Sequence, residues 1–99
     1  MNISAPEFNL SRATAVQISS DTLTVELTDG RSLSVPLAWY PRLAHATAAE
    51  RSNWRLIGGG EGIAWPEVEE DLSVGSLIAG HTSKESQSSL NRWLASRKA

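Results

Sequence analysis

The chain contains no cysteine, which excludes disulfides, thiolate catalysis and cysteine-ligated zinc or iron–sulfur centres. It also has no apolar run near the roughly 20 residues that a membrane-spanning helix needs. Its first residues lack the charged and apolar pattern of a signal sequence. We therefore expect a cytoplasmic protein with no membrane contact, whose fold is stabilised by packing rather than by covalent links.

The chain also has little excess of either sign of charge, because its formal net charge is −2 over 99 residues. Such a chain gains little long-range attraction to nucleic acid or anionic lipid. Only two histidines are present, and neither has a serine or carboxylate at a spacing typical of a proton relay. The sequence therefore predicts no enzyme, no cofactor and no metal, in one domain of ordinary globular composition.

Alternating apolar and polar residues predict a β-meander in the first part of the chain. Leu23, Val25 and Leu27 alternate with polar neighbours, as in a strand with one buried face. Asp29-Gly30 is a strong turn signal before the next alternating run. Extended segments are predicted at residues 13–18, 22–27, 31–37, 54–57 and 63–65, with the fourth returning the chain to the sheet.

Short helices are predicted between and after these strands. Pro41 has the backbone angle that suits a first helical turn. Thr47 and Glu50 fit a capping box at the start of a second helix. Ser73 can cap a third helix that ends at Gly80, since glycine favours the left-handed conformation of a helix terminator.

Together these elements predict an α+β fold: a small antiparallel β-meander sheet with short helices packed on it and a C-terminal amphipathic helix. This last helix is expected over residues 83–97. Residues 1–12 form a predicted N-terminal arm, and residues 13–82 form a single core domain. Residues 83–99 are assigned to a C-terminal helix that belongs to the same domain.

A glycine-rich loop lies in the segment of residues 36–80, which also holds three of the four tryptophans and three of the four prolines. Glycines 58–60 and 62 could present consecutive amides to an anion. However, a phosphate-binding loop needs lysine followed by serine or threonine after its last glycine, and residues 63–66 are Ile-Ala-Trp-Pro. The loop is therefore interpreted as a structural turn.

An acidic run follows the loop, with carboxylates at Glu67, Glu69, Glu70 and Asp71. Clustered carboxylates can bind a metal or form an acid–base pair, but their spacing matches no calcium loop. They also lie just before Ser73, where negative charge stabilises the start of a helix. Stabilisation of this helix end is the simplest interpretation, and an acidic surface for a partner is the functional alternative.

The four tryptophans divide between core packing and recognition. Trp54 and Trp93 are expected in the core or at its edge. For Trp39 and Trp65, which lie beside proline turns, packing and recognition remain equally open.

Several motifs occur together over roughly residues 13–82. They are Asp29-Gly30-Arg31, Val35-Pro36-Leu37, Trp39-Tyr40-Pro41-Arg42-Leu43, Trp54, Trp65-Pro66 and Glu69-Glu70-Asp71-Leu72-Ser73. Their combination resembles a bacterial family of small proteins known only as a domain of unknown function. The resemblance implies a compact α+β domain, often encoded beside another small protein in a toxin–antitoxin-like arrangement, and it supplies no catalytic residues.

The leading functional hypothesis is a non-enzymatic protein-binding module, an antitoxin-like member of a two-gene system whose partner is the product of an adjacent gene. A homodimer is compatible with the sequence. The candidate partner-binding residues are Trp39, Tyr40, Arg42, Trp65, Glu67, Glu69, Glu70 and Asp71.

Two other classes of function remain open from the sequence. Nucleic-acid binding or transcriptional regulation is the alternative, and the arginines that would serve it are Arg42, Arg51, Arg55 and Arg92. An enzyme is the third hypothesis, which requires a pocket that joins His45 or His81 to the acidic run.

Overall fold

The computed structural model describes residues 11–97. Its first sheet is the predicted meander, with strands β1 (Ala13–Ile18), β2 (Thr22–Leu27) and β3 (Ser32–Pro36) in the antiparallel order β1-β2-β3. The third strand ends at Pro36, one residue before the predicted end, because Leu37 begins a 3₁₀ turn and donates its amide to the Asp21 carbonyl.

A second three-stranded antiparallel sheet contains β4 (Arg55–Ile57), β5 (Gly62–Trp65) and β6 (Glu70–Ser73), in the order β4-β5-β6. The expectation that the fourth strand returns to the meander was wrong, because β4 pairs with β5 instead. Strand β6 was not predicted at all. Among its four residues only Leu72 is buried, so an edge strand with this composition has no clear alternation to detect.

The predicted capping residues begin the second and third short helices and end the third. Helix α1 covers Pro41–Ala44 and α2 covers Ala48–Ser52, and the capping box of α2 is formed by Thr47 and Glu50. Helix α3 covers Val74–Ala79. The Ser73 hydroxyl accepts the Ser76 amide at 3.0 Å, and Gly80 ends the helix with φ of 80°.

Helix α4 covers Gln87–Ser96 and begins four residues later than the start predicted at Ser83. The reason is local, because the Ser86 hydroxyl accepts the Ser89 amide at 3.1 Å and so acts as the N-cap. Leu90 of this helix is buried and Trp93 packs against the core.

One hydrophobic cluster joins both sheets and the helices that cover them. Its completely buried side chains include those of Leu23, Leu43, Ile63, Trp65 and Val68. No helix between residues 11 and 97 has the length and apolar character to cross a membrane. Of the predicted N-terminal arm, only Ser11 and Arg12 fall within the described part of the chain.

The glycine loop packs against the start of β1. Gly58, Gly59 and Gly60 have φ of 61°, 68° and 103°, which favours glycine at each position. The Arg12 guanidinium donates to the Gly58 carbonyl at 3.1 Å, and a Cβ on Gly60 would lie 2.6 Å from the Ala13 carbonyl oxygen. These contacts give the loop a role in connecting the two sheets.

Candidate functional site

A groove of about 470 Å³ lies between strand β6, helix α3 and the segment of residues 81–85. We call it the acidic groove. It brings together five of the eight predicted partner-binding residues, namely Tyr40, Arg42, Glu69, Glu70 and Asp71. Part of its outer wall comes from residues that the sequence did not single out, including Lys84 and Glu85.

Tyr40 forms a buried part of the groove, with only 2% of its surface exposed. Its hydroxyl donates a hydrogen bond of 2.7 Å to the carbonyl oxygen of His81. Burial raises the pKa of this phenol, and the negative charge of Glu70 raises it further. Tyr40 therefore holds the segment after α3 in place and presents little surface to a partner.

Arg42 is committed to contacts within the chain. Its Nε and Nη2 donate to the two carboxylate oxygens of Glu85 at 2.9 and 2.6 Å, and its Nη1 donates to the Val68 carbonyl at 3.0 Å. The guanidinium also lies 5.0 Å from the ring centre of Trp93. Hydrogen bonds from Arg42 lower the pKa of the Glu85 carboxyl. Arg42 thus fastens helix α4 to the groove.

Glu70 is the half-buried carboxyl group of the groove that lacks a hydrogen-bond or ion-pair partner among the described residues. It is half-buried on β6, and within residues 11–97 it has no hydrogen bond and no ion pair. Burial raises its pKa to about 7, and the nearby charges of Glu85 and Asp71 contribute in the same direction against the opposing effect of Arg42. The charge of this group therefore changes near neutral pH.

The raised pKa of Glu70 makes stability depend on pH. The folded state holds the Glu70 proton up to about pH 7, whereas the unfolded chain releases it near the usual pKa, so ionisation lowers the free energy of unfolding as pH rises. We expect the free energy of unfolding of Glu70→Gln, measured relative to that of the wild type, to rise between about pH 5 and about pH 8. Urea denaturation across this range measures the difference. The exposed Glu67→Gln serves as control, and equal trends in both variants would contradict the assignment.

The other charges of the groove are mostly acidic. Glu69 and Asp71 are exposed, and Glu69 has one long contact of 3.4 Å to the Arg42 guanidinium. Four carboxylates line the groove, from Glu69, Glu70, Asp71 and Glu85, against the two cations of Arg42 and Lys84. Because Arg42 is already paired with Glu85, the surface left for a ligand is negative.

Three predicted partner-binding residues lie outside the acidic groove. Glu67 is exposed on the 3₁₀ turn Pro66–Val68, and Trp39 is half-buried against the core. Trp65 is completely buried, and its indole nitrogen donates to the Arg51 carbonyl at 3.1 Å. Since no part of the Trp65 side chain reaches solvent, it cannot contact a partner of the folded chain. Its role is to pack the core beneath α2.

Sequence reasoning missed Lys84 and Glu85 because their segment was assigned to the last helix. The four serines and one glutamine between residues 83 and 89 contain the signal that locates the helix start, since Ser86 is a favoured N-cap residue. No local pattern connects Glu85 to Arg42, which lies 43 residues earlier in the chain.

The enzyme hypothesis requires a pocket that joins His45 or His81 to the acidic run, and one of the two histidines lies in such a groove. His81 lines the acidic groove, whereas His45 lies elsewhere on the surface. Within the described range, no hydrogen bond joins the His81 imidazole to a carboxylate, and no group of three ligating side chains is arranged for a metal. In the described residues, His81 and the acidic run therefore share one groove without a direct hydrogen bond between them.

The four arginines proposed for nucleic-acid binding do not have the same environment, since two are bound within the chain and two are exposed. Arg42 is paired with Glu85, and Arg51 donates to the carbonyls of Leu43 and Ala44. The other two, Arg55 on β4 and Arg92 on α4, are exposed.

A family model for a protein of unknown function, DUF2442, matches residues 13–83. The chain belongs to the DUF2442 family. The match confirms the resemblance to a domain of unknown function and covers both sheets, the three short helices and most of the acidic groove. No curated protein matches the chain significantly.

Two solved bacterial structures share the fold of this DUF2442 chain. One is a crystal structure of a protein of unknown function from Rhodospirillum rubrum, with 26% identity, a TM-score of 0.65 and coverage of 76% of this chain and 93% of the other. The second is a solution structure of an uncharacterised protein from Chromobacterium violaceum, with 20% identity, a TM-score of 0.67 and coverage of 94% and 82%. The second likeness concerns the fold alone.

Proposed function

We propose that this DUF2442 chain is a non-enzymatic protein-binding module whose acidic groove receives a positively charged segment of a partner protein. The observation that carries the proposal is Glu70, a half-buried carboxyl group without a hydrogen bond or ion pair inside residues 11–97. A lysine or arginine side chain from a partner supplies the missing positive charge. Asp71 and Glu69 extend the same negative surface towards solvent.

The energetics favour such a ligand over a neutral one. An ionised Glu70 is costly where it stands, because burial raises its pKa to about 7. A cation placed beside it favours the ionised form and so returns part of this cost on binding. The exposed carboxylates add electrostatic steering, which raises the rate of association and excludes acidic competitors.

The identity of the first partner to test comes from the family resemblance, which implies a neighbouring gene and an antitoxin-like role. We propose that the product of the adjacent gene inserts a basic segment into the acidic groove. A homodimer is the simpler alternative, and sedimentation of the chain alone distinguishes it from a complex of two different proteins.

Co-purification tests this proposal directly. The tagged chain is produced together with the adjacent gene product, and the complex is compared with the double variant Glu69→Lys, Asp71→Lys. We expect the double variant to weaken the complex by at least about tenfold, since like charges across an interface cost several kcal/mol. Glu67→Lys is the control for the single groove variant Asp71→Lys, because both change the net charge equally and Glu67 is an exposed carboxylate of the same acidic run outside the groove.

Two results would contradict the proposal. One is equal loss of the complex with Glu67→Lys and with Asp71→Lys, which would show that the net charge rather than the groove matters. The other is binding to nucleic acid that falls steeply with salt and depends on Arg55 and Arg92, which would favour the alternative function.

A further inference from the structure

A second surface of the chain lies at the outer edge of strand β1. The first sheet has the order β1-β2-β3, so within residues 11–97 this edge has no neighbouring strand. An edge of this kind presents unpaired amides and carbonyls that another extended chain can bind. It is separate from the acidic groove, which lies along the second sheet.

The hairpin between β1 and β2 determines which backbone groups face outward. The Ser19 amide donates to the Thr22 carbonyl at 2.9 Å, and the next hydrogen-bonded pair two residues along is Gln17 with Thr24. By this alternation, Val16 and Ile18 direct their amides and carbonyls away from β2. The edge therefore offers two amide donors and two carbonyl acceptors. They are spaced two residues apart, as the hydrogen-bonded positions of an antiparallel partner strand are.

A groove of about 340 Å³ runs along this edge. We call it the β1 groove. One side is formed by the consecutive β1 residues Val16, Gln17 and Ile18, and the other by helix α2 together with the half-buried Trp54. A strand edge facing a helix across a groove is the geometry in which domains bind extended peptides by strand addition.

The charge of the β1 groove specifies its ligand further. Arg51 is the charged residue that lines it, and no carboxylate of the described residues lies within ion-pair distance of its guanidinium. Its Nε and Nη2 are held by the carbonyls of Leu43 and Ala44 at 2.9 and 2.8 Å. A positive charge is thus fixed in place without an opposite charge, which favours a carboxylate in the ligand.

We propose that the β1 groove binds an extended peptide segment that pairs with β1 as an additional strand and places a carboxylate against Arg51. Side chains two residues apart lie on the same face of a strand, so an apolar side chain two positions from the carboxylate packs against Ile18 and Trp54. A second copy of this chain fits less well, because β1 (Ala13–Ile18) contains no carboxylate.

An NMR titration of the full chain tests this inference with a defined probe, the capped peptide acetyl-Thr-Val-Thr-Glu-Thr-amide, and its glutamine analogue as control. At about 1 mM peptide, a concentration suited to weak binding, we expect shifts at the amides of Val16 and Ile18 and at the Trp54 indole. The glutamine analogue should bind about fivefold more weakly, the effect of one charge-assisted contact near the surface.

A pair of variants examines the charge requirement from the side of the protein. Ser52 is exposed and lines the β1 groove. Ser52→Glu should lower the affinity for the glutamate peptide by about fivefold, because it places a second carboxylate beside that of the peptide. Ser52→Gln should leave this affinity unchanged. The proposal is overturned if the peptide shifts no β1 signal, if glutamate and glutamine peptides bind equally, or if the β1 signals respond to protein concentration through self-association instead. None of these results bears on the acidic groove, so the two proposals stand or fall separately.

Discussion

Replacing Trp65 by alanine should lower the free energy of unfolding by about 3 to 5 kcal/mol, the usual cost of truncating a large buried aromatic side chain. Trp65 is 0% exposed and donates its indole hydrogen to the Arg51 carbonyl at 3.1 Å. The substitution removes the packing of the second sheet on the core and leaves a backbone acceptor of α2 without its donor. A loss of this size is a large share of the roughly 5 to 15 kcal/mol expected for a small domain.

Chemical denaturation of Trp65→Ala and of Trp39→Ala compares a fully buried tryptophan with a half-buried one. The loss at Trp39 should be clearly smaller, because less of its surface is removed from water. Equal losses at both positions would contradict the packing described for Trp65. The result also decides how a binding defect of Trp65→Ala is interpreted, since loss of the fold abolishes any interface without identifying it.

Replacing Arg42 by alanine is expected to cost about 2 kcal/mol, because it removes hydrogen bonds to a charged, half-buried partner and leaves the Glu85 carboxylate uncompensated. The side chains of Arg42 and Glu85 are 14% and 15% exposed, and two short hydrogen bonds join them. The same substitution removes the donor to the Val68 carbonyl and one of the two cations over the ring of Trp93, the other being Arg97. Helix α4 should therefore loosen from the core before the two sheets unfold.

The matched control for this prediction is Arg92→Ala, which removes an arginine from the exposed face of α4. Its effect should stay within about 0.5 kcal/mol, as for most surface substitutions. Hydrogen exchange should show the loss of protection in α4 for Arg42→Ala only. A similar stability for both variants, or unchanged protection of α4, would contradict the role assigned to the Arg42–Glu85 pair.

The parts of the fold that the sequence predicted correctly depend on local signals. Leu23, Val25 and Leu27 alternate with polar residues and form β2 with the expected inward face. Thr47 and Glu50 form the capping box, and Gly80 ends α3 in the left-handed conformation. Each of these features is decided by residues within about four positions of one another, a range over which sequence patterns carry structural information.

The features that the sequence did not predict depend on contacts between distant segments. Whether β4 joins the meander or a second sheet is decided by its pairing with β5. Strand β6 lies at the edge of the second sheet and lines the groove, a position that only its pairing with β5 determines. The burial of Trp65 likewise depends on how α2 lies over the second sheet, which no spacing within the sequence expresses.

The candidate site shows the same division. Five predicted residues meet in the acidic groove, and three of them, Glu69, Glu70 and Asp71, are consecutive, so a single segment brings them there together. The sequence did not separate Arg42, which is bound within the chain, from Glu70, which has no partner in the described range. That distinction requires the position of Glu85 and determines which charge is available to a ligand.

The central claim is that the acidic groove holds a basic segment of a partner. Photo-cross-linking tests this claim most directly. A photoreactive residue is placed at Lys84 in the groove or at the exposed Ser20 in the β1–β2 turn as control. Each version is illuminated in the complex with the adjacent gene product, and the cross-linked peptide is identified by mass spectrometry. We predict a product from position 84 alone, joined to a partner peptide rich in lysine or arginine. Equal cross-linking from position 20, or attachment to a segment without basic residues, would contradict the account.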